Sequence, residues 1–254
     1  MSATDNIVCH LPYLRRHARA VTGAQASGDA YVLAVLDILE TDDSWLSATS
    51  SDRVGLFRLF SRYHAAVGGD WRVRTPDPAL CPRRMREVLL LVALEGFTLA
   101  EVAEIMETPE TEVRSLLAAA VRALMAFDAA DVMIMESEPL IAMNIEQVVL
   151  ALGHRVVGTA RTVAAAVSMF DRRRPDLILA DIQLADGGSG LEAMHQIQAR
   201  CRVPVIFIST YPEEMLTGER PEPVFLVAKP FDVSMVRALI GQALFFAGGQ
   251  LSHI

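Results

Sequence analysis

Four polar residues stand where short apolar runs end. Glu136 follows 132–135, Asp181 follows 177–180, Ser209 closes 203–209 and Lys229 follows 224–228. If each run is a strand of one parallel sheet, all four side chains reach a single edge. That is the edge at which open α/β sheets bind ligands. Two carboxylates together can hold a hard divalent cation such as Mg²⁺. A carboxylate beside that cation is also a nucleophile toward phosphorus and would form an acyl phosphate. The phosphoryl oxygens then need donors, which the Ser209 hydroxyl and the Lys229 ammonium can supply. Of 23 basic residues 22 are arginine, and Lys229 is the one lysine. A compact ammonium enters a slot that a planar guanidinium is too broad for. Polar residues commonly end strands, so the weight lies in the joint placement.

These positions need elements to hold them. After residue 131 short apolar runs alternate with helical patterns. The spacing predicts strands over 132–135, 155–160, 177–180, 203–209 and 224–228. It predicts helices over 141–152, 162–173, 190–199 and 233–246, with 247–254 as a frayed tail. Such alternation gives an α/β doubly wound domain, flavodoxin-like, with a five-stranded parallel sheet over 131–246.

The first half reads as all-α. Leu11, Leu14 and Ala18 share one helical face, Val32, Val35, Leu36 and Leu39 another, and 23–28 separates the two. Asp52 is placed to cap a third helix carrying Val54, Phe57, Leu59 and Phe60. Gly68, Gly69, Pro76, Pro78 and Pro82 mark 67–82 as a linker between helical pieces 1–66 and 83–127. Within the second piece, Thr98 and Glu101 have capping-box spacing. A break at Thr108-Pro109 precedes a last helix over 111–124, with Val113, Leu116, Leu117, Ala120, Val121 and Leu124 inward. The pair outlines a helix-turn-helix.

Composition narrows the function classes. A chain of 254 residues with 52% hydrophobic content and a mean hydropathy of +0.31 can bury a core. No apolar run approaches a membrane span of about 20 residues, and no signal peptide is visible at the N-terminus, so a cytoplasmic protein is expected. Cys9, Cys81 and Cys201 form neither a disulfide framework nor a zinc motif and read as buried structural thiols. His10, His17 and His64 lack convergent partners and read as surface or capping residues. The formal charge is −8, and residues 1–127 carry 13 arginines against 16 acids. That balance argues against nucleic-acid binding.

The stretches Val132-Met-Ile-Met-Glu-Ser-Glu-Pro139, Pro175-Asp-Leu-Ile-Leu-Ala-Asp181, Pro204-Val-Ile-Phe-Ile-Ser209 and Ala228-Lys-Pro-Phe231 resemble the receiver domain of two-component response regulators. The resemblance implies that Asp181 is the phosphoacceptor and that Glu136 belongs to an acidic pair. It further implies that Gln183 offers its carbonyl to Mg²⁺, that Ser209 is the switch hydroxyl and that Lys229 senses the phosphate. A histidine kinase or phosphotransferase would donate the phosphoryl group. Two departures stand out. The second acidic position is Ser137, which removes a charge from the metal site, and Glu138 is expected to point to the other face. The family's switch aromatic would fall at Leu226, with Phe225 the nearest aromatic.

Residues 86–106 resemble region 4 of extracytoplasmic-function sigma factors, and 10–23 resemble the start of their region 2. The recognition helix departs from a DNA reader, because Glu107, Glu110 and Glu112 stand where bases and phosphates would be approached. Only Arg114 and Arg122 remain on it. A sigma-like half fused to a receiver resembles the PhyR-type general stress response regulators. That resemblance implies a non-enzymatic anti-anti-sigma factor. Phosphorylation would open a closed state so that the sigma-like half captures a NepR-type anti-sigma factor. Two alternatives stay open: a DNA-binding response regulator, and a paralogue that Ser137 makes independent of phosphorylation.

Overall fold

The structure is a computed structural model that describes residues 7–42, 44–47, 49–67, 82–124, 128–218 and 222–251, without the side chains of 47 and 248–251. The predicted linker over 67–82 falls almost wholly outside the described residues, as does Cys81. The chain forms two compact units. One is Met1–Ala123 with Glu213–Val224, and the other is Leu124–Pro212 with Phe225–Ile254.

The first unit is helical: α1 (Leu11–Thr22), α2 (Gln25–Thr41), α3 (Ser44–Ser47), α4 (Asp52–Val67), α5 (Arg83–Ala93), α6 (Leu99–Ile105) and α7 (Glu110–Leu124). One apolar core runs through it, with Leu14, Val35, Phe57, Phe60, Leu91, Val102 and Val113 buried together. Each large apolar side chain so buried contributes about 1.5–3 kcal/mol. Of the six residues expected inward on α7, Val113 and Ala120 are buried, and the others are partly covered.

Local signals explain the helix ends, with two corrections. Gly23 adopts a left-handed φ of 72° at the end of α1, and its N–H returns to the Arg19 carbonyl. Gly28, expected between helices, lies inside α2. A Cβ there would sit 2.6 Å from the Arg19 backbone nitrogen, so the glycine serves close helix packing. Asp52 does not cap α4. Ser51 does, its hydroxyl accepting the Val54 N–H at 3.2 Å. At α6 the capping box of Thr98 and Glu101 is formed in both directions.

Polar groups inside this unit are mostly paired. Arg16 is buried and forms a two-pronged pair with Glu95, at 3.2 and 2.9 Å. Arg19, fully buried, holds both Asp29 oxygens at 2.8 and 3.0 Å and Glu222 at 2.6 Å. Glu222 belongs to the segment Glu213–Val224, which lies between two strands in sequence yet packs within this unit. Arg15 donates to the Leu216 carbonyl and Tyr13 to Glu213 in the same segment.

The histidine expectation is overturned. His17 is fully buried and His64 nearly so. The rings of Phe57 and Phe60 flank His17, and Phe60 stacks on His64. Aromatic neighbours turned a polar residue type into core, from α4 for His17 and from α2 and its own helix for His64. Cys9 and Cys201 correct in the other direction and are exposed. Cys9 lies just before α1 and Cys201 just beyond a helix end, where no core reaches them.

The second unit contains β1 (Asp131–Met135), α8 (Pro139–Ala151), β2 (Arg155–Ala160), α9 (Val163–Arg172), β3 (Leu177–Asp181), α10 (Gly190–Gln198), β4 (Val205–Ser209), β5 (Phe225–Ala228) and α11 (Val233–Leu251). All strand pairs are parallel, in the order β2-β1-β3-β4-β5. Strands buried on both faces read as continuous apolar runs, as β1, β3 and β4 do. A frayed tail is expected over 247–254, of which 252–254 lie outside the described residues and 247–251 are helical. Helix α11 continues to Leu251, because a glycine costs a helix only about 1 kcal/mol and does not by itself end it. No described helix is long and apolar enough to cross a membrane.

Candidate functional site

The register of the sheet brings the strand ends together. The Glu136 N–H donates to Ala160 at the end of β2, and the Lys229 N–H donates to the Ser209 carbonyl at the end of β4. Asp181 pairs with Ile208, and Ser209 with Ala228. Glu136, Asp181, Ser209 and Lys229 therefore share one edge.

The ammonium of Lys229 joins the two carboxylates. Its Nζ donates to Asp181 Oδ2 at 2.7 Å and to Glu136 Oε2 at 2.9 Å. Glu136 is fully buried. Its other oxygen accepts the Glu138 N–H at 2.9 Å, so both carboxylate oxygens are committed. Burial pushes the Glu136 carboxyl above its usual range, and the nearby Asp181 charge adds to this. The Glu138 amide and Lys229 pull the other way. Desolvation alone would lower Lys229, but its hydrogen bonds to Asp181 and Glu136 hold it above the usual lysine value. Asp181 Oδ1 accepts the Gln183 N–H at 3.2 Å.

Ser137 and Gln183 lie at the same mouth. The Ser137 hydroxyl donates to the Gln183 carbonyl at 3.4 Å, and Arg161 donates to the Ser137 carbonyl at 3.1 Å. Glu138 is exposed and starts α8. The oxygen donors at hand are two carboxylates, the Gln183 carbonyl and a hydroxyl. This all-oxygen set suits a hard cation. Among the described residues, no group of three or more acidic, histidine or cysteine side chains gathers to hold a metal. A serine at 137 leaves the pair of acids one short of such a group.

Ser209 accepts the Tyr211 N–H on its hydroxyl at 3.1 Å. Phe225 and Leu226 are both buried within β5. Gly190 was missed in the sequence. Its N–H donates to the Ile182 carbonyl, and a Cβ there would lie 2.1 Å from the Asp181 carbonyl oxygen. The signal was present in the Gly187, Gly188 and Gly190 cluster that precedes α10. Asp186 was also missed. It accepts the N–H of Val163 at the start of α9.

In the helical unit the three acids near the start of α7 are all matched by arginines. Glu107 pairs with Arg62 at 3.2 Å, Glu112 with Arg84 at 3.1 Å, and Glu110 with Arg114 on its own helix. Two of these arginines come from α4 and α5. Cations that a DNA reader would direct at phosphates are engaged internally.

Three family descriptions match the chain: the sigma2 domain of PhyR over 7–61, the sigma-like domain of response regulator PhyR over 79–126, and the response regulator receiver domain over 132–240. The phyllosphere-induced regulator PhyR of Methylorubrum extorquens is 46% identical, across 97% of this chain and 96% of that protein. The crystal structure of the response regulator PhyR from Brucella abortus is 48% identical, covers 98% of this chain and 97% of its own, and superposes with a TM-score of 0.89. That of the anti-anti-sigma factor PhyR from Bartonella quintana is 49% identical, covers 98% of both chains, and also gives 0.89.

Proposed function

The chain belongs to the PhyR family of response regulators, and from that premise we propose that it is a phosphorylation-controlled anti-anti-sigma factor. Its phosphoacceptor is Asp181, and its partner is an anti-sigma factor of the NepR type. The observation that carries this reading is the Lys229 ammonium held between Asp181 and Glu136 at the sheet edge.

The chemistry follows from those contacts. One Asp181 oxygen attacks phosphorus in a histidine kinase, a phosphotransferase or a small acyl phosphate. A bond from Asp181 to phosphorus forms as the donor's bond to phosphorus breaks, and the leaving group departs with that electron pair. Mg²⁺, held by Glu136, Asp181 and the Gln183 carbonyl, would offset the negative charge that the two carboxylates and the phosphoryl group bring together. Glu136 remains a fixed charge, because the Glu138 amide and Lys229 hold it in place. Lys229 follows the charge from the free carboxylate to the new phosphoryl oxygens, where a compact ammonium keeps its hydrogen bonds. The Ser209 hydroxyl provides a further donor.

Phosphate then favours the partner-binding state through differential interaction energy. The sigma-like half takes the place of a sigma factor on the anti-sigma protein. The internally paired arginines around α7 support capture of a protein over reading of DNA.

The test uses the full chain with acetyl phosphate, Mg²⁺ and the purified anti-sigma protein. Wild type is expected to gain capture on phosphorylation, and Asp181→Ala to lose both labelling and gain. Labelling that persists on another carboxylate, or specific, salt-sensitive promoter binding, would overturn the reading. Ser137 favours one alternative, a paralogue that acts without phosphate. Equal capture by wild type and Asp181→Ala would establish it.

A further inference from the structure

Away from the strand ends, the second unit holds a cavity with a charge inside it. The cavity lies between the end of α8 and the middle of α11 and holds about 440 Å³, part of it open to solvent. Leu124, Leu152, Ile240 and Leu244 line it, with two polar side chains among them, His154 and Arg237. None of Glu136, Ser137, Asp181, Gln183, Ser209 and Lys229 lies on it. Gly241 makes room on the wall that α11 supplies. A Cβ there would lie 2.0 Å from Leu124 Cδ2, so a larger residue would collide with that wall.

Arg237 stands apart from the other enclosed arginines. Its Nε is shielded from solvent and has no hydrogen-bond partner among the described residues. No acidic side chain lines the cavity to match it. Arg16 and Arg19, buried in the helical unit, each hold a carboxylate. A guanidinium carries five N–H donors in a planar fork, and a donor that is shielded and left unpaired is costly.

His154 adds a donor to the same space. Its Nδ1 accepts the Ala130 N–H at 3.2 Å, which leaves the ring hydrogen on Nε2. Burial holds the imidazole below its usual pKa. At neutral pH the ring is therefore uncharged, and the positive charge of the lining is that of Arg237.

The geometry points to a second ligand site: this cavity binds a small carboxylate with an apolar body, its carboxylate on the Arg237 fork and the His154 Nε2–H, and its hydrocarbon between Leu124, Leu152, Ile240 and Leu244. Ligand cavities hold about 300–1,000 Å³ and are mostly apolar with a few placed polar groups, and this one meets both conditions. The planar fork fits a carboxylate with two parallel hydrogen bonds. Inorganic phosphate would leave the apolar walls unused, and a plain hydrocarbon would leave Arg237 unmatched. The inference does not depend on whether Asp181 takes a phosphoryl group.

Octanoate is the probe. It is titrated into the full-length protein without phosphodonor, and binding is followed by calorimetry and by the amide shifts of His154 and Gly241. With about ten non-hydrogen atoms it should half-saturate at about 1 mM or below. 1-Octanol keeps the chain and loses the charge, and acetate keeps the charge and loses the chain. Each should bind at least roughly tenfold more weakly. Arg237→Gln should weaken octanoate roughly 10- to 100-fold, the size of a lost hydrogen bond to a charged group. Ala151→Glu places an acid at an exposed lining position, where the fold tolerates it. It should weaken octanoate too, by giving Arg237 a partner of its own.

Octanol binding as tightly as octanoate overturns the inference. So does octanoate affinity that is unchanged in Ala151→Glu, or wild type that shows no binding by about 1 mM. Amide shifts that gather instead at the exposed Leu140, Met143 and Leu150 of α8 also overturn it, since the probe would then coat an apolar surface. Asp181 takes no part in any arm, so the proposed function stands or falls separately.

Discussion

Ser137→Asp puts a carboxylate where the site has a hydroxyl, beside the Gln183 carbonyl at 3.4 Å and next in sequence to an exposed Glu138. A carboxylate oxygen binds Mg²⁺ at about 2.1 Å. Even with the full dielectric of water, a single charge at that distance gains about 4 kcal/mol against a divalent ion. The new charge also meets the carboxylates of Asp181 and Glu136, each costing about 1 kcal/mol at roughly 4 Å in water. Lys229 already holds both acids at 2.7 and 2.9 Å, which softens that repulsion. That repulsion is present with and without the ion and cancels from the affinity. Mg²⁺ gives up its own water reluctantly, and if that takes about half of the gain, the remaining 2 kcal/mol or so corresponds to roughly 30-fold tighter binding, since 1.4 kcal/mol is a factor of ten. The assay titrates Mg²⁺ into wild type and variant, following Gln183 and Asp181 amide shifts and, separately, the rate of labelling by acetyl phosphate. Half-saturation should fall by the same factor in both. Equal affinity in the two proteins would mean that residue 137 does not face the metal. The assignment of Glu136 and Ser137 to the acidic pair would then fail.

Two further expectations follow from packing. Gly190→Ala would place a methyl 2.1 Å from the Asp181 carbonyl oxygen. Overpacking of that kind costs about 1–3 kcal/mol, and displacement of Asp181 should slow labelling well beyond the loss in urea stability. Normal labelling would show that the loop yields freely. His17 and His64 are lowered from 6.5 to about 3 and about 4, burial being the largest cause for each. The fold keeps them neutral, so their contribution is complete above pH 6.5 and drains away as pH falls toward 4 and 3. At pH 5 the loss is about 2 kcal/mol per histidine. Urea unfolding at pH 7.5 and 5.0 should show this in wild type, with His17→Leu losing about 2 kcal/mol less. An unchanged pH dependence in the variant would refute the assignment.

Much of the second unit was legible because its signals are local. Strands buried on both faces need runs of Val, Ile and Leu, as 132–135 and 177–180 have, and even the half-exposed edge strand 155–160 matches its predicted bounds. Thr162, predicted as the first residue of a helix, is its cap, accepting the Ala165 N–H. What sequence could not show was set by neighbours far along the chain. His17 becomes core because Phe57 and Phe60 arrive from α4, and Gly28 enters a helix because Arg19 presses against it. Arg16 and Glu95 are separated by 79 residues and still form a buried pair. Breaking one partner of such a pair is costly, because a charge is left unmatched in the interior.

The same distinction explains why the positions of the site are legible in the sequence and its bonding is not. Strand ends place Glu136, Asp181, Ser209 and Lys229 by rule, since a parallel sheet has one ligand-binding edge. The rule gives positions, but it does not give which groups are already bonded. The structure shows Lys229 joined to both acids while Ser209 accepts from its own loop. Lys229 therefore restrains the chemistry before phosphate arrives, whereas Ser209 donates to neither acid. A hydrogen bond between neutral groups is worth about 0.5–1.5 kcal/mol net, and one to a charged group about 1.5–3. Ser209 accepts the Tyr211 N–H on a lone pair, so donating its own hydrogen to a phosphoryl oxygen adds a bond of the stronger kind. The lysine's bonds to Asp181 and Glu136 are already of the stronger kind, so it gains less by moving. Ser209 is accordingly the group at this edge with most to gain from a phosphoryl oxygen.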